Sequence, residues 1–255
     1  MAVIDILDGR VFADVGDDGV IVLELRDEAS HNALSDEFQQ AVGAFLAGAH
    51  RHADARVVVM CGLPRLFCSG APRSVLHELA DGSFEHLNLT RSRAVLEARI
   101  PVIAAMEGDA VGGGFVLGLA ADVVVMCETS RYGMNFMDYG FTPGMGATRI
   151  MEHVLSPAIA CELLFTGEMR RGADFRNCSG INYILPAAQV RARALDVAAR
   201  IAEKTQASVQ TLKAHLSLAR RRIHEEARTA EAMMFRICAA DPALRARIAA
   251  NYPVP

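Results

Sequence analysis

The sequence predicts an α/β fold, and three observations carry that expectation. Short apolar runs at Val57–Cys61, Val102–Met106 and Val123–Cys127 alternate with segments of helical periodicity. Glycine turns follow the first two runs, at Phe67-Cys68-Ser69-Gly70-Ala71 and at Gly108-Asp109-Ala110-Val111-Gly112-Gly113-Gly114. After Pro186 glycine drops out and the pattern becomes helical, which reads as an α appendage on an α/β core. A length of 255 residues suits one large domain or a domain with an appendage. Composition divides the chain into a core over residues 1–190 and a helical part over 191–255.

Taken in order, Val11–Val15 and Val20–Leu25 read as strands joined by Gly16-Asp17-Asp18-Gly19, a hairpin signal. Ala33–His50 carries Leu34, Phe38, Val42, Phe45 and Leu46 at helical spacing, with Ser35 as N-cap. Val57–Cys61 is apolar throughout, so it is a buried strand. Pro72–Thr90 reads as a short helix and a mobile segment over the site, and Arg91–Ala98 as a helix that Pro101 breaks. Strand Val102–Met106, helix Gly112–Ala120 and strand Val123–Cys127 follow, then a short extended piece, Tyr132–Met137. A third glycine loop, Gly140-Phe141-Thr142-Pro143-Gly144-Met145-Gly146, opens a helix over Ala147–Val154. Pro157–Thr166 is helical and Ile181–Leu185 is a short strand. The tail reads as helices at Arg191–Lys204, Val209–Ala230 and Leu244–Asn251. It is too short for much core of its own, so it must pack on its own subunit or another.

Hydrophobic residues at 52% and charged residues at 22% exclude a disordered chain. A net charge of −4 argues against wholesale binding to nucleic acid or an anionic membrane. Met1–Leu7 is too short and acidic for a signal peptide, and Asp122 interrupts the apolar run Phe115–Met126 before it could span a bilayer. The expectation is a soluble, cytoplasmic protein. Six cysteines show no zinc-binding spacing and read as reduced structural thiols. Cys68, on the first glycine loop, is the one to weigh as a nucleophile, and no base neighbours it in sequence.

The chemistry centres on Ile100–Phe115. A buried strand runs into a glycine turn and a helix start, where backbone N–H groups lack intrahelical acceptors and sit at the positive end of the helix dipole. Such a turn can hold an oxyanion, and the loop Phe67–Ala71 can supply a second N–H.

His31-Asn32-Ala33-Leu34, Phe67–Ala71, Ile100–Ala105, Gly112–Gly114 and Gly140–Thr148, in this order and at these intervals, resemble the crotonase superfamily of enoyl-CoA hydratases and isomerases over nearly the whole chain. The resemblance implies a spiral of ββα units with a C-terminal α-helical trimerisation subdomain. It implies a homotrimer or dimer of trimers, and a thioester substrate held by two backbone donors. By motif the donors fall on Ala71 and Gly113. No metal and no cofactor are implied beyond the phosphopantetheine of an acyl carrier protein, or CoA, that carries the substrate.

Hydratases of the superfamily place glutamates where this chain has Val116 and Phe136. Neither can move a proton, so water addition is disfavoured. An apolar site with an oxyanion hole suits decarboxylation, which needs an electron sink and no general base. The segments Met134–Thr148 and Leu212-Lys213-Ala214-His215-Leu216-Ser217 are similar to those of the polyketide β-branching decarboxylases, which act on 3-methylglutaconyl groups on an acyl carrier protein. That branch implies a lysine after the first glycine loop, whose position here is taken by Arg73, and a histidine, here His215. Arginine keeps the charge and can grip a carboxylate through two N–H groups, but it is a poorer proton donor. Gly112, Val116, Phe136 and Tyr139 are expected to line the acyl pocket, and Arg220-Arg221-Arg222 reads as a solvated face or a carrier-docking patch. Two rivals stand beside this reading: another crotonase-type reaction on CoA, and a non-catalytic structural member.

Overall fold

A computed structural model describes residues 2–52, 54–80 and 93–251. The strands β1 (Ala2–Asp5), β2 (Val11–Val15), β3 (Val20–Leu25) and β4 (Val57–Cys61) begin the larger sheet. Its order is completed by β6 (Val102–Met106), β8 (Val123–Cys127) and β11 (Tyr183–Leu185), each parallel to its neighbour from β3 onward. A second sheet runs in the order β10 (Met169–Arg171), β9 (Arg131–Gly133), β7 (Asp109–Val111), β5 (Leu66–Cys68).

The continuous apolar runs are explained by burial on both faces of the parallel sheet. Val58 and Met60 of β4, with Val102, Ala104 and Met106 of β6, enter the main core. The alternate residues Val57, Val59, Cys61, Ile103 and Ala105 face a second core. Helices α1 (Asp36–Gly48) and α4 (Gly113–Leu119) contribute Phe38, Val42, Phe115 and Val116 to the first. Helix α7 (Ala187–Ala202) closes the second with Val190, Ala194 and Ala198, spaced four apart along one face. The compositional boundary at residue 190 therefore falls inside a helix that belongs to the sheet. Ser35 caps α1, its side chain accepting from the Phe38 N–H at 3.2 Å.

The tail packs on its own chain. Helix α8 (Gln206–Ala239) lies on α3 (Arg93–Glu97) and on α5 (Ala147–Leu155), and α9 (Ala243–Asn251) lies on α2 (Arg73–Ala80). At 34 residues α8 is longer than periodicity suggested, because Thr205 caps it and nothing between Gln206 and Ala239 breaks it. The piece expected to be extended over Tyr132–Met137 divides into β9 and a 3₁₀ turn at Met137–Tyr139. Strands β1, β7 and β10 were not legible, being 3 or 4 residues long. The short helix expected after Pro72 is α2, whereas the expected mobile segment, with His86, lies outside the described residues. Among the described residues no helix is long and apolar enough to cross a membrane.

Candidate active site

Strands β5 and β7 are parallel neighbours, with Cys68 opposite Ala110, so the chain leaves both at the same edge of the sheet. The first exit is pinned by Asn32, which is fully buried. Its amide donates to the Leu25 and Phe67 carbonyls at 3.0 Å each and accepts from the Asp27 N–H at 2.8 Å. Leu34 N–H donates to the Gly70 carbonyl at 2.8 Å, tying the loop to the start of the α1 segment.

Gly70, at φ +85°, turns the first exit and lies close against the second. A β-carbon there would stand 2.6 Å from the Val111 carbonyl and 3.5 Å from the Gly113 nitrogen. Gly112, at φ +52°, turns the chain after β7, and its own N–H is used on the Gly133 carbonyl at 2.9 Å. Gly113 is then the first residue of α4. Among the described residues, neither the Ala71 nor the Gly113 N–H donates to a backbone carbonyl. Gly114 allows the helix to sit on the first loop, where a β-carbon would lie 2.4 Å from the Cys68 carbonyl.

The surroundings of this turn are mostly apolar, with Asn135 Oδ1 3.3 Å from a β-carbon position on Gly112. Val116, one turn into α4, is fully buried. The Phe136 ring comes within 3.7 Å of a β-carbon position on Gly112, and Leu34 Cδ1 and Met145 Sδ within 2.9 and 2.7 Å of one on Gly113. Phe136 meets Phe141 edge-on at 5.9 Å, and Tyr139 stacks on Phe141 at 6.0 Å, its hydroxyl accepting from Asn135 Nδ2 at 3.0 Å. Leu76 from α2, Phe235 from α8, and Leu244 and Ile248 from α9 complete this aromatic cluster. None of Val116, Phe136, Leu34 and Met145 can move a proton.

Arg73 opens α2 on the surface, two residues past Ala71, which is also exposed. His215 is not brought to the turn in this chain. Its segment buries Lys213 and Ser217, four residues apart, so His215 lies round the far side of α8 and is exposed. Arg220 is not part of a solvated patch. Its guanidinium donates to the Ala120 and Ala121 carbonyls at 2.7 and 3.0 Å, capping the C-terminal end of α4, and reaches Asp122. Arg221 donates to the Ala214 carbonyl, and Arg222 is exposed beside a surface cavity of about 360 Å³ that Arg93 and His224 also line. Cys68 is fully buried, donates to the Asn32 carbonyl, and is pushed up to about 12 by burial, so it stays a thiol.

Sequence reasoning passed over four residues: Asn32 as an individual anchor, Met145 above Gly113, and His224 and Glu231 on α8. The last two lie on the buried stripe of α8, which mixes Val209, Ala227 and Phe235 with the polar Lys213 and Ser217, so periodicity alone did not single them out. Chemically, backbone N–H groups without a backbone acceptor, as at Ala71 and Gly113 among the described residues, can donate to an anionic oxygen.

The family described as enoyl-CoA hydratase/isomerase matches residues 16–246. Bacillaene synthase decarboxylase PksI of Bacillus subtilis (strain 168) is 36% identical over 197 residues, 77% of this chain and 79% of its own. The decarboxylase domain of CurF from Lyngbya majuscula superposes with a TM-score of 0.89 at 31% identity, over 96% of this chain and 100% of that one. A structure from a dehydratase/decarboxylase enzyme couple involved in polyketide β-branching gives 0.88 at 34% identity, over 95% and 96%. These neighbours share the α/β core and the C-terminal helices, and the matched span contains both glycine exits. With its fold and its two facing loops thus accounted for, this chain belongs to the crotonase superfamily, the enoyl-CoA hydratase/isomerase family.

Proposed function

We propose that this protein is a carbon–carbon lyase of polyketide β-branching. It decarboxylates a 3-methylglutaconyl-type thioester on an acyl carrier protein and gives a 3-methylcrotonyl thioester. The observation that carries the reading is the oxyanion turn with Val116 and Phe136 where a hydratase needs carboxylates. The relatives named above as decarboxylases support it.

In this reading the Ala71 and Gly113 N–H groups hold the thioester oxygen. The bond from the γ-carbon to the carboxylate breaks, CO2 leaves, and the electron pair moves through the conjugated double bond onto that oxygen as a dienolate. A proton then returns to carbon and restores the thioester carbonyl. Arg73 orients the carboxylate in bidentate fashion before CO2 departs. Val116, Phe136 and Tyr139 keep water from the dienolate, and Gly112 sets the turn. The substrate arrives on the phosphopantetheine of its carrier, with Arg221 and Arg222 as the acidic partner's contact. Assembly as a homotrimer, or a dimer of trimers, gives a neighbour to the exposed face of α8 that bears Leu212, His215 and Leu216. His215 then acts in the reaction across that interface, orienting the carboxylate or helping deliver the proton. The enzyme works in the cytoplasm beside its carrier.

The test is intact-mass analysis of a carrier protein loaded with 3-methylglutaconyl, incubated with wild type or Arg73→Ala, beside the CoA thioester. Loss of the mass of CO2, faster from the carrier than from CoA and slowed by the substitution, is the expected result. Gain of water, or no change on either carrier, overturns the reading.

A further inference from the structure

One helix grips a single peptide unit of the third glycine loop on both its edges. His224 and Glu231 are seven residues apart on α8, two turns, and so face the same way. Both are buried, at 1% and 0% exposure. Glu231 Oε2 accepts the Gly146 N–H at 2.7 Å, while Oε1 takes the Thr148 N–H at 2.9 Å and its hydroxyl at 2.7 Å. The His224 ring donates to the Met145 carbonyl, the other edge of the same peptide. The ring also lies on Gly146, where a β-carbon would stand 2.4 Å from Cδ2.

The gripped peptide joins two left-handed residues, Met145 at φ +65° and Gly146 at φ +78°. The second is free to be there. The first is a methionine, whose β-carbon makes that region costly unless the surroundings impose it. The far side of Met145 is the oxyanion turn, since its Sδ stands 2.7 Å from a β-carbon position on Gly113. The chain of contact thus runs from two buried α8 side chains, through one strained peptide, to the methionine over a proposed donor.

We propose that His224 and Glu231 are positioning residues that lock the Met145–Gly146 peptide and so hold Met145 over Gly113, fixing the depth at which the thioester oxygen meets its two donors. The proposal rests on the reading of Ala71 and Gly113 as those donors. It asks of His224 only a donor N–H, and of Glu231 only acceptor oxygens. Burial pushes the pKa of His224 down and that of Glu231 up, so burial favours the neutral form of each.

The experiment binds a 3-methylcrotonyl pantetheine thioester, isotope-labelled at the carbonyl, and reads the carbonyl stretch by difference infrared spectroscopy. Wild type, His224→Gln, His224→Leu and Glu231→Gln are compared, with kcat and KM for decarboxylation measured alongside. Wild type lowers the stretch, and His224→Gln, which keeps a donor in reach of the Met145 carbonyl, retains most of that shift. His224→Leu and Glu231→Gln lose much of the shift and lower kcat by about a hundredfold, as a misplacement near 1 Å does, with KM little changed. A wild-type shift and kcat in both of these variants overturns the clamp, and so does a fall in kcat with the carbonyl shift intact. No shift in wild type overturns the donor reading beneath it, which keeps the two failures distinguishable. Melting curves check folding, and the nearly isosteric Glu231→Gln decides the matter where His224→Leu is not folded.

Discussion

Along α8 the contact around Asp122 and the contact around Met145 are built from opposite chemistry. At the first, Lys213 Nζ reaches the two Asp122 oxygens at 2.8 and 2.6 Å, and Arg220 adds a third contact at 3.4 Å. Asp122 also accepts the Val102 N–H at 2.8 Å, so the knot ties α8 to the start of β6 and the end of α4. Burial pushes the Lys213 pKa down, and Asp122 opposes that shift. At the second, the partners are a peptide, a hydroxyl, a histidine and one carboxylate. The charged knot lies at the C-terminal end of α4 and the polar clamp near its N-terminal end, beside the Gly112–Gly113 turn. One contact secures the C-terminal end of α4 by charge. The other secures the loop before α5 by hydrogen bonds to backbone and hydroxyl groups.

The contrast is broken most severely at the knot. Asp122→Ala leaves a lysine side chain at 2% exposure without its counter-ion, and chemical denaturation should show a loss of about 3–5 kcal/mol. At the other end, Gly113→Ala should act on rate before stability. Its methyl meets the flexible ends of Met145 and Leu34, which can give, while the turn shifts its N–H; kcat should fall on the order of 10²–10³ with a near-normal melt.

A smaller effect separates the two contacts by pH. Burial holds His224 below its ordinary value of 6.5, in the company of Glu225, Arg93 and Arg228. The unfolded chain then takes a proton that the folded chain refuses. The stabilising contribution is present above pH 6.5 and is lost as pH falls toward the folded value. Glu231, held above 4.5, works the other way as pH rises. His224→Gln should flatten the acid limb of the stability curve by up to about 1.4 kcal/mol per pH unit. The smallest effect belongs at the surface: Arg149→Ala removes a pair with Glu152 at 2.7 Å between groups 45% and 33% exposed, and should move stability by less than about 1 kcal/mol.

Much of the site was legible because it is made of backbone. Gly70 and Gly112 occupy positive φ, which glycine reaches without cost, and Gly114 stands where a side chain would collide with the Cys68 backbone. Those requirements leave a mark in the sequence. The apolar strands were legible because both faces are buried, and the Ser35 cap because the capping hydroxyl lies three residues from the N–H it serves. The inward face of α8 was harder. Leu-Lys-x-His-Leu-Ser pointed to His215, whereas the helix turns Lys213, Ser217, His224 and Glu231 inward.

By itself the sequence determined the long apolar strands, the two glycine exits and the absence of a carboxylate at Val116 and Phe136, because each is a property of a local pattern or a single residue. Only the tertiary structure decided which polar residues of α8 meet the core. Glu231 is 85 residues from Gly146, and Lys213 is 91 from Asp122. Helical periodicity fixes the angles among residues on one helix, but the partner that each face meets is set by packing across the fold, and that packing has no local signature.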